Sequence, residues 1–391
     1  MPEVVLRSGH VQPVWAGHPW VFAQAIERIV GDPKPGDEVD VIDARQNFLG
    51  RGLFSPKSAI RVRLFSRDDE RFDRDLLVQR LRAAEDKRVL LGIRSDEPGR
   101  VTDSYRSCYG EGDDLPGLIV DRLGSALSVQ FTTVGMALRR ELVLDALEAV
   151  YAPSAIVDRT AVKAAQAEGF QAQGGVARGQ LSGFEVRERG LYFALPLELG
   201  QKTGFYFDQR PLRDVVERLS RGREVLDAYS FVGAGGLSAA RGGASRVLSV
   251  DSSEVAVRVG REAARANELN VEFLEEDAEQ VLEQSSDRFD LVLVDPPKFA
   301  HGRAQKEKAA RAFRRLIGLA VRATRRGGLV CVSSCSQAID ASDLTRALAL
   351  GARDQGRRAQ VIERVFQGAD HPVPAAFPEG LYLSSIIAVL S

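Results

Sequence analysis

The residues with the clearest chemical capacity lie at the end of an apolar run. Residues 286–300, SDRFDLVLVDPPKFA, read as a strand that stops at Asp295, Pro296, Pro297 and Lys298. Paired prolines fix φ and withhold two backbone donors, so such a loop stands clear of its sheet. Taken alone, the loop is as well explained as a rigid strand-to-helix turn. A thiol, Cys335, follows the next apolar run, GLVCVSS, and adjacent strand ends would bring it beside Asp295. A thiolate is both a strong nucleophile and a competent leaving group. Cys331 sits deep in the same run and Cys108 far upstream, so both read as core thiols. Three cysteines argue against a disulfide framework, and His10, His18, His301 and His371 lack ligand spacing, so no metal site is predicted.

Upstream, further acids close successive strands. The strand at 224–229 carries Asp227 and runs into YSFVGAGGLSAA, whose glycines at 233, 235 and 236 let backbone pass close to a ligand. The turn is not GxGxxG, and a lone glycine turn is more often packing than a site. The next strand, however, ends at Asp251, 18 residues after Gly233, where a carboxylate can accept from a ribose diol. Ser252 and Ser253 follow it, so a role within a helix cap stays open for Asp251. The third strand ends at Asp277. Three acids at three strand ends disfavour a phosphate-rich cofactor and suit a cationic, phosphate-free nucleoside, which points to S-adenosylmethionine.

The elements that must position these residues follow from pattern. From about 200 onward, strands at 224–229, 246–251, 271–277, 289–295 and 328–335 alternate with helical stretches such as EVAVRVGREAARANEL. That alternation predicts an α/β doubly wound parallel sheet with ligands at its carboxyl edge. Residues 1–70 carry short alternating runs divided by Gly and Pro, which predict a small β-barrel or sandwich. Its basic residues, including Arg7, Arg51 and Arg63, lie near Trp15, Trp20, Phe22 and Phe54; from composition alone, buried aromatics with a solvated charged rim explain them better than nucleic-acid binding does. Residues 71–190 read as a small α+β module entered by a helix whose Leu76, Leu77, Leu81, Ala84 and Val89 share a face. With 53 Lys and Arg against 54 Asp and Glu, any case for a nucleic-acid partner must be local. No run of 18 apolar residues occurs and MPEVVLRSGH lacks a signal-peptide pattern, which predicts a cytoplasmic protein.

Several stretches together carry a family resemblance: HPWVF at 18–22, LPGLIVDR at 115–122, QKTGFYFDQR at 201–210, AYSFVGAGGLSAA at 228–240, VDPPKF at 294–299, SSCS at 333–336, ADHP at 369–372 and FPEGLYL at 377–383. Along essentially its full length the chain resembles bacterial 23S rRNA 5-methylcytosine methyltransferases. These join a PUA domain, a central α+β domain and a Rossmann-like class I methyltransferase domain, here expected at 1–70, 71–190 and 191–391. The resemblance implies that residues 201–210, among them Lys202, Thr203, Gly204, Phe205 and Gln209, fold over S-adenosylmethionine. It implies that Asp251 and Asp277 hold the ribose and adenine end, that Asp227 and the turn around Gly233 face the methionine portion, and that Ser230 and Asp295 also bind the cofactor. Pro296, Pro297 and Lys298 would seat the base, Cys335 would add to cytosine C6, and Asp295 would hydrogen-bond its N3 edge. The partner implied is 23S rRNA or a large-subunit precursor, with no membrane and no metal; a homodimer is one of the assembly states left open.

The chain departs from the pattern in two places. Better-known RNA 5-methylcytosine enzymes carry a second cysteine after the paired prolines to release product, where this chain has Lys298. The following helix reads KAARAFRRLIGLA, where relatives commonly carry a Tyr, Lys and Asn pattern. Residues 302–326 nevertheless hold nine Lys and Arg against one acid, a run that could grip phosphate or form a solvated face. The competing readings are methylation of a guanine nitrogen on the same fold, which needs no thiol, and an RNA-binding assembly factor with a vestigial site.

Overall fold

The structure is a computed structural model that describes residues 1–199, 204–299, 306–336 and 338–391. It divides into two compact units, one of 1–190, 196–207 and 369–380, the other of 191–195, 208–368 and 381–391.

In the first unit a six-stranded sheet runs in the order Trp20–Phe22, Ile60–Ser66, Phe48–Phe54, Glu38–Ile42, Glu3–Leu6, Ile26–Val30. Val4, Val21, Val39, Val41, Phe54 and Val62 form its core, so of the four aromatics near the basic residues only Phe54 is a core residue. Trp15 is exposed, while Trp20 and Phe22 pack with His18. The same unit holds a five-stranded sheet, Gly175–Gly179, Ala155–Asp158, Ala126–Phe131, Leu118–Leu123, Tyr105–Tyr109, whose core is shared with helices Arg74–Leu90 and Arg140–Tyr151. The first of these helices departs from expectation at its end: Val89 is exposed and Arg88 is fully buried. Arg88 reaches Asp113 through two bonds of 2.6 and 2.7 Å, and also donates to the Asp370 carbonyl at 2.8 Å. A cation can occupy an apolar face when its charge is paired on site.

The second unit is a seven-stranded sheet. Its strands are β1 (Glu224–Ala228), β2 (Arg246–Asp251), β3 (Glu272–Glu275), β4 (Phe289–Val294), β5 (Thr324–Ser334), β6 (Ala359–Phe366) and β7 (Ser384–Leu390), in the order β3-β2-β1-β4-β5-β7-β6. Five parallel strands match the expected alternation; β6 and β7, with β7 antiparallel to both neighbours, were not foreseen. Helices α1 (Arg210–Leu219), α2 (Ala234–Arg241), α3 (Glu254–Ala266), α4 (Ala278–Gln284), α5 (Lys306–Ala323) and α6 (Ala341–Asp354) cover the sheet. Both faces are buried, which explains the unbroken apolar runs. Val225, Leu291, Leu293 and Cys331 meet α1 and α2 on one face; Leu226, Val292, Val294 and Val332 meet α5 and α6 on the other. Side-chain caps fix the starts of the following helices: Ser253 caps α3, Asp277 caps α4, and Asp340 with Asp343 forms a capping box on α6. Each is worth about 1 kcal/mol. Among the described residues no helix is long and apolar enough to cross a membrane.

Candidate active site

The chain order reverses between β1 and β4, and the crevice at their carboxyl ends is where such sheets take ligands. Register places Asp227, Leu293 and Cys331 in one row across β1, β4 and β5. Asp227 is buried and accepts from the Gly236 amide at 2.7 Å. Burial, together with the charges of Asp295 and Asp251, pushes its carboxyl up to about 7 against the opposing pull of the Gly236 amide and Arg213. A site that concentrates negative charge so strongly is suited to a cationic ligand.

The turn after β1 is tightly wound. Tyr229, Phe231 and Gly233 have φ of 61°, 51° and 73°, left-handed values that side chains rarely adopt. Asp251 holds the turn from the side: one carboxylate oxygen accepts from the Phe231 amide at 2.8 Å and the other from the Ser253 amide at 2.9 Å. With one N–H on each oxygen, the carboxylate keeps lone pairs for a vicinal diol. Ser230 Oγ is buried in the turn without a hydrogen-bond partner among the described residues. A Cβ at Gly233 would meet the Phe273 ring at 2.5 Å, and one at Gly236 would meet Ser249 Oγ at 2.2 Å. Asp277 is exposed, and one of its oxygens accepts from the Glu279 and Gln280 amides at 2.8 and 3.2 Å, so it serves as the α4 cap. Its charge, like that of Glu279, reaches the half-buried Tyr229 phenol in the turn.

At the end of β4, Asp295 is half-buried and accepts from the Gln209 side-chain amide. Pro296 is buried, Pro297 and Lys298 are exposed, and Phe299 anchors the loop on Phe313 of α5 with ring centroids 5.0 Å apart. Val294 pairs with Val332, so Asp295 is level with Ser333 and Cys335 lies two residues further out on the neighbouring strand end. Cys335 is half-buried, whereas Cys331 is buried with its thiol pushed far up, first by burial and then by Asp295 and Asp227. Cys108 is buried likewise, in the first unit.

The remaining predicted residues divide by location. Lys202 and Thr203 lie outside the described residues. Gly204 and Phe205 belong to the first unit, where Phe205 is buried with its ring 5.1 Å from that of Phe207. Several described cations of the basic run 302–326 have acidic partners. Lys306 pairs with Asp343, Arg314 with Asp354, Arg315 with Glu279 and Glu283, and Arg325 with Glu224 and Asp290. These ion pairs within the domain offset four of the nine cations, which favours the solvated-face alternative. Arg51 and Arg63 of the N-terminal strands are likewise paired, with Asp40 and with Glu168. One contact at the site escaped sequence reading altogether: Tyr382 donates its phenolic hydrogen to Asp208. Both residues stand in stretches that carry the resemblance, but no local pattern signals a bond across 174 positions.

Known proteins share this construction. A PUA-like domain family matches residues 4–67, and the S-adenosylmethionine-dependent methyltransferase family matches residues 118–369. A crystal structure of SMU.776 complexed with SAH superposes over the whole of both chains with a TM-score of 0.84 at 18% identity, and a methyltransferase from Streptococcus mutans does so at 0.83. Fold, strand-end acids and matched families define the class: an S-adenosylmethionine-dependent methyltransferase with a Rossmann-like class I domain and a PUA-like domain. The Ribosomal RNA large subunit methyltransferase I of Erwinia tasmaniensis is 36% identical over 97% of each chain, and that of Escherichia coli O157:H7 is 35% identical over 97% of each. The chain belongs to the family of these methyltransferases. Its residues could hold the cofactor: Asp251 keeps acceptor lone pairs, Ser230 has a hydroxyl without a partner among the described residues, buried acids cluster, and the turn has no room for added carbon.

Proposed function

We propose that this chain methylates C5 of a cytosine in large-subunit ribosomal RNA, with Cys335 as the nucleophile. What supports the reading most is the placement of Asp295 and Cys335 at the carboxyl ends of neighbouring strands, in a chain whose relatives are named for large-subunit rRNA. Cytosine C5 is a poor nucleophile until a group adds to C6 and pushes electron density onto it. Cys335 supplies that group, and its half-buried setting beyond the strand keeps it reachable, unlike Cys331. Asp295, oriented by Gln209, hydrogen-bonds the N3 edge and stabilises the adduct as charge develops. S-adenosylmethionine supplies an electrophilic methyl group, held by Asp227, Ser230, Gly233 and Asp251, with Asp277 at the adenine end and residues 201–210 covering it. Pro296, Pro297 and Lys298 seat the base. The PUA-like strands, as a domain spanning 1–70, contribute to RNA binding, and the segment 71–190 precedes the methyltransferase domain at 191–391.

RNA containing 5-fluorocytosine should trap a covalent complex with the wild-type protein and none with Cys335→Ala. Full methylation by Cys335→Ala would contradict the nucleophile assignment. Lys298, standing where a second cysteine would be expected, favours one competitor, transfer to a guanine nitrogen; that reaction requires no thiol and gives a different nucleoside on digestion.

A further inference from the structure

The cytosine-C5 reaction leaves one step without an agent, because the proton on C5 must be removed after methylation. We infer that Tyr382 and Asp208 form the base that removes it, an inference that rests on the cytosine-C5 reading.

Among the described residues, three other groups at the strand ends are unsuited to this step, and Asp227 and Asp251 are assigned to the cofactor. Lys298 is an exposed ammonium group and carries no acceptor. Cys331 remains a thiol, since burial disfavours its thiolate. Asp295 is engaged by Gln209 and committed to the N3 edge. The Tyr382–Asp208 pair has both the position and the chemistry. In the antiparallel β5/β7 pair, Ser384 lies opposite Ser334, and that pair closes the ladder. Tyr382 and Cys335 therefore leave the same end of the same pair of strands. Asp208 is brought to Tyr382 by their hydrogen bond and is next in sequence to Gln209, which holds Asp295. Two backbone ties fix the arrangement: the Tyr382 amide donates to Gln367 Oε1 at 3.0 Å, and the Gly368 amide donates to the Asp208 carbonyl at 2.9 Å. Asp208 is buried and Tyr382 is half-buried.

The direction of the bond determines what the phenol can do. Its hydrogen is committed to Asp208, so towards anything else the oxygen offers only acceptor lone pairs. As the C5 proton moves to the Tyr382 oxygen, the phenolic proton passes to the Asp208 carboxylate. The C5–H electron pair becomes the C5=C6 double bond, and the C6–S bond breaks with its pair returning to the Cys335 thiolate. After product leaves, Asp208 returns the proton to water through the phenol, so one proton is released per turnover. Tyr382 is the catalytic group here, and Asp208 acts through it.

The test uses the full chain with ordinary, unfluorinated rRNA and S-adenosylmethionine. Tyr382→Phe should slow turnover roughly 100-fold and accumulate a methylated covalent protein–RNA complex that wild type does not hold. Asp208→Asn should shift the same way. Calorimetric affinity for S-adenosylmethionine should stay within about twofold of wild type, showing that the variants fold and that the loss lies in release. Wild-type turnover by Tyr382→Phe, or a block with no accumulated complex, would overturn the inference. If 5-fluorocytosine RNA traps wild type but Tyr382→Phe accumulates nothing on ordinary RNA, the release assignment alone falls. If 5-fluorocytosine RNA traps nothing on wild type, the cytosine-C5 reading falls and this inference with it.

Discussion

At the scale of single residues, Asp227 has the most distinctive electrostatics in the site. It is buried behind a row of apolar strand residues with Asp251 and Asp295 nearby, and its carboxyl is pushed up to about 7. Its unfolded value is about 3.9, so the native state holds this proton more tightly than the unfolded chain. The group's contribution to stability is therefore present in full below about pH 4 and is lost as pH rises to about 7. Asp227→Asn should stabilise the ligand-free protein at pH 8 by at most about 4 kcal/mol, read as a higher melting temperature. The same substitution should weaken S-adenosylmethionine binding. In the wild type, affinity should rise between pH 6 and 8 as Asp227 ionises, and calorimetry in buffers of different ionisation heat should detect the released proton. The type and position of Asp227, Asp251 and Asp295 are legible in the sequence. What each carboxylate binds is not, because the amides of Gly236, Phe231 and Ser253 and the side chain of Gln209 reach them only through the fold.

At the scale of elements, the turn from β1 into α2 is the most constrained segment. Gly233 combines a left-handed φ with contact against Phe273, and Gly236 both donates to Asp227 and lies against Ser249. Gly233→Ala should cost about 1–3 kcal/mol in denaturant unfolding and raise the Kd for S-adenosylmethionine. An unchanged Kd would remove the turn from the cofactor site. The five parallel strands could be read because each is an apolar run closed by a polar residue. β6 and β7 escaped for physical reasons. β6 is an edge strand whose Gln360, Ile362, Arg364 and Phe366 are exposed, so its pattern is mixed, and the short SSIIAVL of β7 follows a Pro-rich segment with only a three-residue 3-10 turn, Pro378–Gly380, before it. Helix Arg74–Leu90 misled in the opposite way, because periodicity sees hydropathy and not the partner that allows Arg88 to be buried.

At the scale of the molecule, each compact unit depends on residues distant in sequence. In the first, Arg88 and Asp113 are both fully buried. Burial works against the Asp113 charge, but Arg88 and Lys87 outweigh it and hold the carboxyl below its ordinary range. That stabilisation is present above about pH 4 and is lost as pH falls. Asp113→Ala would strand the Arg88 guanidinium and should cost about 3–5 kcal/mol, seen as a lower midpoint for the first unit in scanning calorimetry. A change under 1 kcal/mol would mean that the pair behaves as a surface one. The charge pattern was the least legible property at this scale: a net charge of -1 conceals local runs, and at least four of the nine cations of the most basic run pair with carboxylates of their own domain. The central claim, cytosine C5 of large-subunit rRNA as methyl acceptor, is tested most directly by incubating the protein with unmodified large-subunit rRNA and methyl-labelled S-adenosylmethionine, then digesting the RNA to nucleosides. The label should elute as 5-methylcytidine and be absent with Cys335→Ala. Label in a methylated guanosine, or in 5-methylcytidine at wild-type yield with Cys335→Ala, would contradict it.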